Sequence, residues 1–447
     1  MASRAVLGLA LFAVGVVASA QSCQVYDDSL KERASTGKGG AAGAGGTGMV
    51  GSNGLGFWSS QNKDGCFSAG VPTPAMRPAA GDQADVGTIY LAIDHLRLGG
   101  QDLMGNASAT AWEDMGFDLD GLCTASGGLD DPSNVDACAM NEEQGCKATT
   151  SKFAPDGRNC RDNTFGRFEG DVSHTEEIAK YRLNDDLFNC ALCVGYFSIL
   201  VRITGYNGTL NDDKVRIDLY PSPGLKTPFK LDCINSTSWK SGDLCWTDDK
   251  VNTWKVDPDG LTGPYTDGGD LPDAKLADAN GYVRDGYMVM QLPDPALLWF
   301  PTQPGVPVNS FPILVHRGVV AAKVIKTAGA WSLTDGTIGG SSTEKEIVTA
   351  FRQVGFCEND SLYAVMTSQV HAALDILQSG QKDATTTCDS LSIGVGFTAR
   401  AATPGPTENV TPLVECMDRF GTATGGAGGG GGAGGGGGSA GKAGAGG

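Results

Sequence analysis

The chain has 447 residues, 66 of them glycine, with 51 acidic against 33 basic side chains and a formal net charge of −18. An acidic chain without a Lys/Arg cluster is repelled by phosphate backbones and anionic lipid, which argues against nucleic acid and membrane surfaces as partners. Beyond the first twenty residues no apolar run approaches the eighteen or so needed to span a bilayer, so no transmembrane segment is expected there.

In chain order, residues 1–20 come first. A basic start, an apolar run of about sixteen residues and the small-x-small end Ala18-Ser19-Ala20 form the pattern of a secretory signal peptide. The expected location is therefore secreted, extracellular or on the outer cell surface. There, thirteen cysteines are read first as disulfides. Thirteen is odd, and Cys23 lies just past the cleavage site. Setting it aside leaves twelve, enough for six bridges. Cys23 is thus a candidate lipid anchor, although Ala20-Gln21-Ser22 is a poor lipoprotein cleavage site.

Two Gly-rich tracts follow, one over 37–56 and one over 425–447. Neither holds enough apolar surface to offset its ordering entropy. The expected organisation is a signal peptide over 1–20, a flexible Gly-rich linker over 21–81, one folded domain over 82–420 and a disordered tail over 421–447.

Within the domain, alternating patterns dominate. Strands are expected at 88–98, at 287–292 after an Asp285-Gly286 turn, and at 313–316, 319–325 and 391–399. A hairpin is expected over 196–220. In its first strand Phe197, Ile199, Val201 and Ile203 share a face, and in its second Val215, Ile217 and Leu219 do. In the last strand Leu391, Ile393, Val395 and Phe397 point one way, and the small residues Ser392, Gly394 and Gly396 leave the other face open to close packing. Thr343-Glu-Lys-Glu346 is a capping box opening a helix that stops near Gly355. A second helix is expected over 360–379, with Leu362, Val365, Met366, Val370, Ala373, Leu374 and Leu377 as its apolar stripe. Cys357 and Cys388 flank it and are a candidate pair. Together these point to a mainly β fold: an antiparallel β-sandwich, jelly-roll or concanavalin-like, with a small two-helix insertion near 343–379, stapled by disulfides.

Few residues carry chemistry. Gly43-Ala-Gly45-Gly-Thr-Gly48 and Gly437-Gly-Ser439-Ala-Gly441 spell a dinucleotide fingerprint and a nucleophile elbow, but neither has the strand and helix such motifs require. His95, His174, His316 and His371 stand in no ligand spacing, and Cys190-Ala-Leu-Cys193 lacks a redox or zinc context. No catalytic residue and no organic cofactor is assigned. Trp239, Trp246 and Trp254 are read as core, with sugar stacking the alternative. The acidic segment is more specific. Asp118-Leu-Asp120-Gly121 sets two carboxylates two residues apart before a turn-forming glycine, and Asp162-Asn163 follows beyond four cysteines. Asp118, Asp120, Asp162 and Asn163 are therefore candidate ligands for a structural calcium ion, in an oxygen-rich set that such an ion favours. The competing reading is a polar turn pinned by disulfides.

The order Trp-x(3)-Gly-Phe-Asp-Leu-Asp-Gly-x-Cys-Thr from Trp112, then Asp162-Asn-x-Phe-Gly166, then Gly205-Tyr-Asn-Gly-Thr, then Cys388-Asp-Ser-Leu-Ser-Ile-Gly-Val-Gly-Phe-Thr-Ala resembles an uncharacterised group of secreted proteins and lipoproteins from myxobacteria. The resemblance spans about 85–416 and implies an exported, disulfide-bonded surface protein on a Gly-rich tether. It transfers no activity. The expected function is an exported binding or structural module, with an extracellular polysaccharide or another cell-surface component as partner. The alternative is a secreted polysaccharide hydrolase using paired carboxylates, for which Glu169, Asp171, Glu176 and Glu177 are available but unpaired in the sequence.

Overall fold

Eight strands, each hydrogen-bonded to the next in the sequence, organise the computed structural model of the chain. They are β1 (Ile89–Arg97), β2 (Ser198–Thr204), β3 (Asp212–Ser222), β4 (Leu276–Arg284), β5 (Tyr287–Gln291), β6 (Ile313–Thr327), β7 (Ala330–Thr343) and β8 (Ser390–Ala401). The described residues are 56–61, 67–81, 84–102, 105–124, 145–150, 154–172, 185–231, 233, 238–241, 245–247, 252–299, 312–360, 362–410 and 416, all within the unit Gly51–Gly447. The signal peptide, Cys23, His174, Glu176, Glu177 and the Gly-rich tail lie outside them.

Every neighbouring pair is antiparallel, β8 returns to β1, and β6 pairs with both β5 and β7. The sheet therefore closes on itself. The expected mainly β, antiparallel architecture is present, but as an eight-stranded meander barrel instead of a sandwich. Alternation marks a buried face without saying what covers it, and here that cover is the far wall of the same sheet. Leu91, Ile93, Val201, Ile203, Val215, Ile217, Leu219, Ile393 and Val395 belong to one buried cluster that fills the lumen. Eight strands enclose just enough room for their own side chains. Consistently, a residual apolar cavity near Leu96, Phe165, Phe188 and Ile338 measures about 30 Å³.

Two strands escape the pattern in the sequence. β7 carries Gly336, Gly339 and Gly340 among hydroxyl residues, and β4 begins Leu-Ala-Asp-Ala-Asn. Both are held by cross-strand hydrogen bonds that apolar alternation does not report. The separate strands expected at 313–316 and 319–325 are one strand, β6, interrupted by a register shift after His316 where Arg317 takes a φ of +50°. The Asp285-Gly286 turn forms as expected, with φ of +50° and +81°.

Among the described residues, four α-helices pack around the barrel: α1 (Thr164–Val172), α2 (Asp185–Val194), α3 (Glu344–Gln353) and α4 (Tyr363–Ala372). The capping box of α3 is present, with Thr343 Oγ1 accepting from Glu346 N and the Glu346 carboxylate accepting from Thr343 N. α4 ends seven residues early. Beyond it, Ile376 N donates to Ser390 O and Ile376 O accepts the return bond from Ser390 N, so 374–377 runs extended beside β8. Val365, placed on the apolar stripe, is instead exposed. α1 and α2 are not announced by the sequence. α2 completes the end of β1 with side chains: Asn189 accepts from Leu96 N at 2.8 Å, and Asp185 accepts from Leu98 N at 2.9 Å and Gly100 N at 3.0 Å.

The barrel's outer wall is also covered in two places. Trp246, Trp254, Val256 and Leu261 pack on Ala92, Leu200 and Tyr220. On the other side Trp58 and Phe117 pack on Val289, Val319 and Ala321. Trp58 lies in the expected linker, so the ordered body begins well before residue 82. Between these covers, Asp218 is fully buried on the outer wall yet paired, since Arg202 holds it through Nε at 3.0 Å and Nη2 at 2.8 Å and Arg216 adds further bonds.

Among the described residues, five disulfides join Cys123–Cys160, Cys146–Cys388, Cys190–Cys233, Cys193–Cys245 and Cys357–Cys416. The CxxC cysteines are thus structural, each bonded to one of the next two cysteines. The pairing of Cys357 with Cys388 is not formed: Cys388, at the foot of β8, meets Cys146, which the 383–387 strand brings alongside. Cys23, Cys66 and Cys138 lie outside the described residues. Among the described residues no helix is long and apolar enough to cross a membrane.

The small face of β8 is close-packed, as expected. A Cβ on Gly394 would stand 2.7 Å from Gly116 Cα and 2.8 Å from Asn163 Cγ. Gly394→Ala is therefore expected to destabilise the fold by about 1–3 kcal/mol in a urea melt. A change within about 0.5 kcal/mol, the usual range for surface substitutions, would mean that this contact is not tight.

Candidate metal centre

Two loops, 116–124 and 154–163, lie against the outer wall at β7 and β8 and build the acidic site. Gly116, with φ of +98°, sits against the backbone of Asp162 and Gly394, where a side chain would clash. Phe117 and Asp162 form an isolated antiparallel bridge, Asp162 N donating to Phe117 O at 2.9 Å. The Phe117 ring lies over Gly339 of β7. Asp156 N donates to Thr124 O at 3.0 Å, and the Cys123–Cys160 disulfide locks the two loops together.

This crossing brings Asp118, Asp120 and Asp162 together, with one potential ligand atom from each lying within 4.8 Å of the others. Each carboxylate is aimed by backbone N–H groups. Asp118 Oδ1 accepts from Gly121 N at 2.6 Å, Asp120 Oδ1 from Leu122 N at 2.8 Å, and Asp162 Oδ2 from Leu119 N and Asp120 N. Gly121 turns with φ of +71°, as the Asp-x-Asp-Gly pattern predicts. Ser68 donates its hydroxyl to Asp118 Oδ2.

Asn163 does not join them. Its amide oxygen accepts from Gly166 N at 2.9 Å and Gly394 N at 2.8 Å, and its Nδ2 donates to Trp112 O. With both lone pairs engaged it is an N-cap for α1 and a latch onto β8, not a ligand. Two further carboxylates stand close enough to feel the group. Asp156 accepts from Thr124 N at 2.6 Å. Asp375 accepts from Ser392 N, Ser392 Oγ and Thr164 Oγ1. Sequence reasoning missed both, because neither lies in a motif with the Asp-x-Asp-Gly turn. Only the Asp156-Gly157 pair before Cys160 hinted at one of them.

Electrostatics follow from the crowding. Burial raises the pKa of Asp118 to about 6 and that of Asp375 to about 7, and mutual repulsion adds to both. Asp156 and Asp162 are pushed well up by burial and then by their carboxylate neighbours. Lys382 donates to Gly121 O at 3.3 Å, and the Arg317 guanidinium is near enough to feel Asp162 and Asp120. These two cations offset part of the negative charge. The donor set is oxygen only, and a hard divalent cation fits it, since calcium takes carboxylate, carbonyl and water oxygens in flexible geometry.

Among the described residues, none of the other candidates converges on the site. Glu169 is buried on α1. Trp246 and Trp254 meet edge-to-face at 5.0 Å inside the outer cover, which is the core role read for them, and Trp239 is half-buried. His371 meets Glu344 at 3.2 Å on the surface. His316 is clamped between Asp294 (2.8 Å from Nδ1) and Glu346 (2.9 Å from Nε2), tying β6 to the first turn of α3. Comparison of the chain with family models, curated proteins and solved structures finds no match.

Burial would lower the His316 pKa, but the hydrogen bonds to Glu346 and Asp294 outweigh it and raise the pKa above 6.5. A folded pKa above the unfolded one means that the clamp contributes fully below pH 6.5 and is lost as pH rises through the folded value. Urea melts across that window are expected to show falling stability in the wild type and a flatter profile in His316→Gln. Parallel profiles would remove His316 as the cause.

Proposed function

We propose that the chain is an exported binding or structural module of the cell exterior, in which a calcium ion held by Asp118, Asp120 and Asp162 stiffens the loops on one wall of the barrel. The observation that carries this reading is the convergence of the three carboxylates on loops joined by Cys123–Cys160. Export is supported by the five disulfides, which persist in oxidising compartments. The likeness to secreted myxobacterial proteins and the signal-peptide pattern of residues 1–20 point the same way.

Among the described residues the lumen is filled by its own side chains, and the cavity near Leu96 and Phe165 measures about 30 Å³, against the few hundred Å³ a small-ligand site usually has. Binding, on this reading, belongs to the outer loops, with an extracellular polysaccharide or another surface component as partner. The burial of Trp246 and Trp254 removes two rings from any sugar-stacking surface. The hydrolase alternative asks for a carboxylate pair in an aromatic-lined groove. Among the described rings, Trp58, Trp112 and Phe117 are buried instead.

Calcium is expected to raise the melting temperature of the oxidised protein over that in chelator, by about 2.7 kcal/mol of stability at a hundredfold excess over Kd. Asp162→Asn should lose that gain while holding its own in chelator, because it removes a repelling charge. Equal melting in calcium and chelator would sink the ion. Free-thiol titration of the mature chain tests export, and mostly reduced sulfurs would overturn it.

A further inference from the structure

The segment 56–61 and 67–81 crosses the outside of the barrel as a strap, joining the body just after the Gly-rich tract 37–56. Resting on the calcium reading above, we propose that the bound cation clasps this strap, so that attachment of the N-terminal tether to the barrel depends on calcium.

The strap has two sets of anchors. One holds the barrel wall directly. Tyr282 Oη donates to Thr73 O at 2.7 Å, Arg284 Nη1 to Met76 O at 2.8 Å and Gln291 Nε2 to Pro72 O at 3.2 Å. The other set lands on the two loops of the acidic site. The Trp58 ring meets Phe117 edge-on at 5.9 Å, Ser68 donates to Asp118, and Ala69 N donates to Asn159 O at 2.8 Å. These contacts touch residues 117–118 and 159, the stretches that carry Asp118 and lie between Asp156 and Asp162. Whatever sets the distance between those loops also sets the seat of the strap.

A buried hydroxyl points independently to a ligand there. Ser341 of β7 is fully buried, and its Oγ has no hydrogen-bond partner. It faces the outer wall two residues beyond Gly339, which the Phe117 ring covers, and directly opposite Ser392, whose hydroxyl donates to Asp375. Side chains directly opposite on antiparallel strands stand about 5 Å apart. Ser341 therefore lies on the face of the wall that the 116–124 and 154–163 loops cover, where a water bound to a cation would supply its missing partner.

The coupling has a physical route. A cation shared by Asp118 and Asp162 fixes the spacing of the 116–124 and 154–163 loops, and Ser68 and Ala69 each bond to one of them. Ser68 is held more tightly, and Gly70 N, donating to Ser68 Oγ at 3.0 Å, fixes the chain behind it. Linkage makes the effect reciprocal, so a seated strap also favours the ion.

Hydrogen exchange of the full-length oxidised protein, followed by mass spectrometry with calcium chloride or chelator, tests the clasp. Calcium is expected to slow exchange in peptides covering 67–81 by about tenfold, within the usual span of coupling between sites. Asp162→Asn should abolish the slowing. Ser68→Ala should cut it to about twofold or less, and the hydroxyl-retaining Ser68→Thr should restore it. A calcium-induced rise in melting temperature with unchanged strap exchange would overturn the clasp and leave the ion standing. Full slowing in Ser68→Ala would also overturn it. Absence of any calcium effect on melting would remove the ion and the clasp together.

Discussion

Pairing of β5 with β6 is the constraint on which everything else rests. Met290 opposite Val320 and Tyr287 opposite Lys323 bring the fifth strand onto the sixth, and with β8 on β1 the meander has no free edge. Closure fixes the lumen as the core, and it turns the other face of every strand outward as a wall. That wall must be covered, paired or wetted. The two aromatic covers, the Asp218–Arg202–Arg216 network and the acidic loops are the forms this takes.

The acidic site is a consequence of how the wall is covered. Glycines at 339 and 394 let the 116–124 and 154–163 loops lie directly on the sheet, and Asn163 fastens them there. With the backbone pressed so close, five aspartates are carried into one half-buried region. The backbone N–H groups that aim them favour the charged form, while burial and crowding disfavour it. Burial wins, as the raised pKa values of Asp118 and Asp375 show. A divalent cation reverses that balance, because its charge meets several carboxylates at once.

The strap ties this chemistry to the chain's organisation. Its carbonyls accept from Tyr282, Arg284 and Gln291, and its Trp58 and Ser68 rest on the loops that carry the carboxylates. The strap and the acidic loops therefore share contacts at Phe117, Asp118 and Asn159. The disulfides Cys123–Cys160 and Cys146–Cys388 hold the same corner from the other side, since Cys146 Sγ lies 3.2 Å from Asp375 O.

Local chemistry in the sequence determined what local chemistry can determine. The alternations at 197–203, 215–219 and 391–397 mark lumen-facing residues, because side chains on a strand must alternate. The capping box at Thr343, the turn at Asp285-Gly286 and the Asp118–Gly121 turn form as read, because each is completed within a few residues. Tertiary structure alone decided the rest. Sandwich or barrel depends on whether 287–291 meets 319–323, a contact between distant segments that alternation leaves open. The glycine-rich β7 and the polar start of β4 are strands only because their neighbours supply hydrogen bonds. Cys357 and Cys388 are close in sequence, yet Cys388 meets Cys146, because β8 and the 383–387 strand set its neighbours. Asn163 leaves the ligand set, and Asp156 and Asp375 enter the acidic region, for the same reason: which oxygens share a space is settled by how the loops cross over the wall, and no spacing along the chain encodes that crossing.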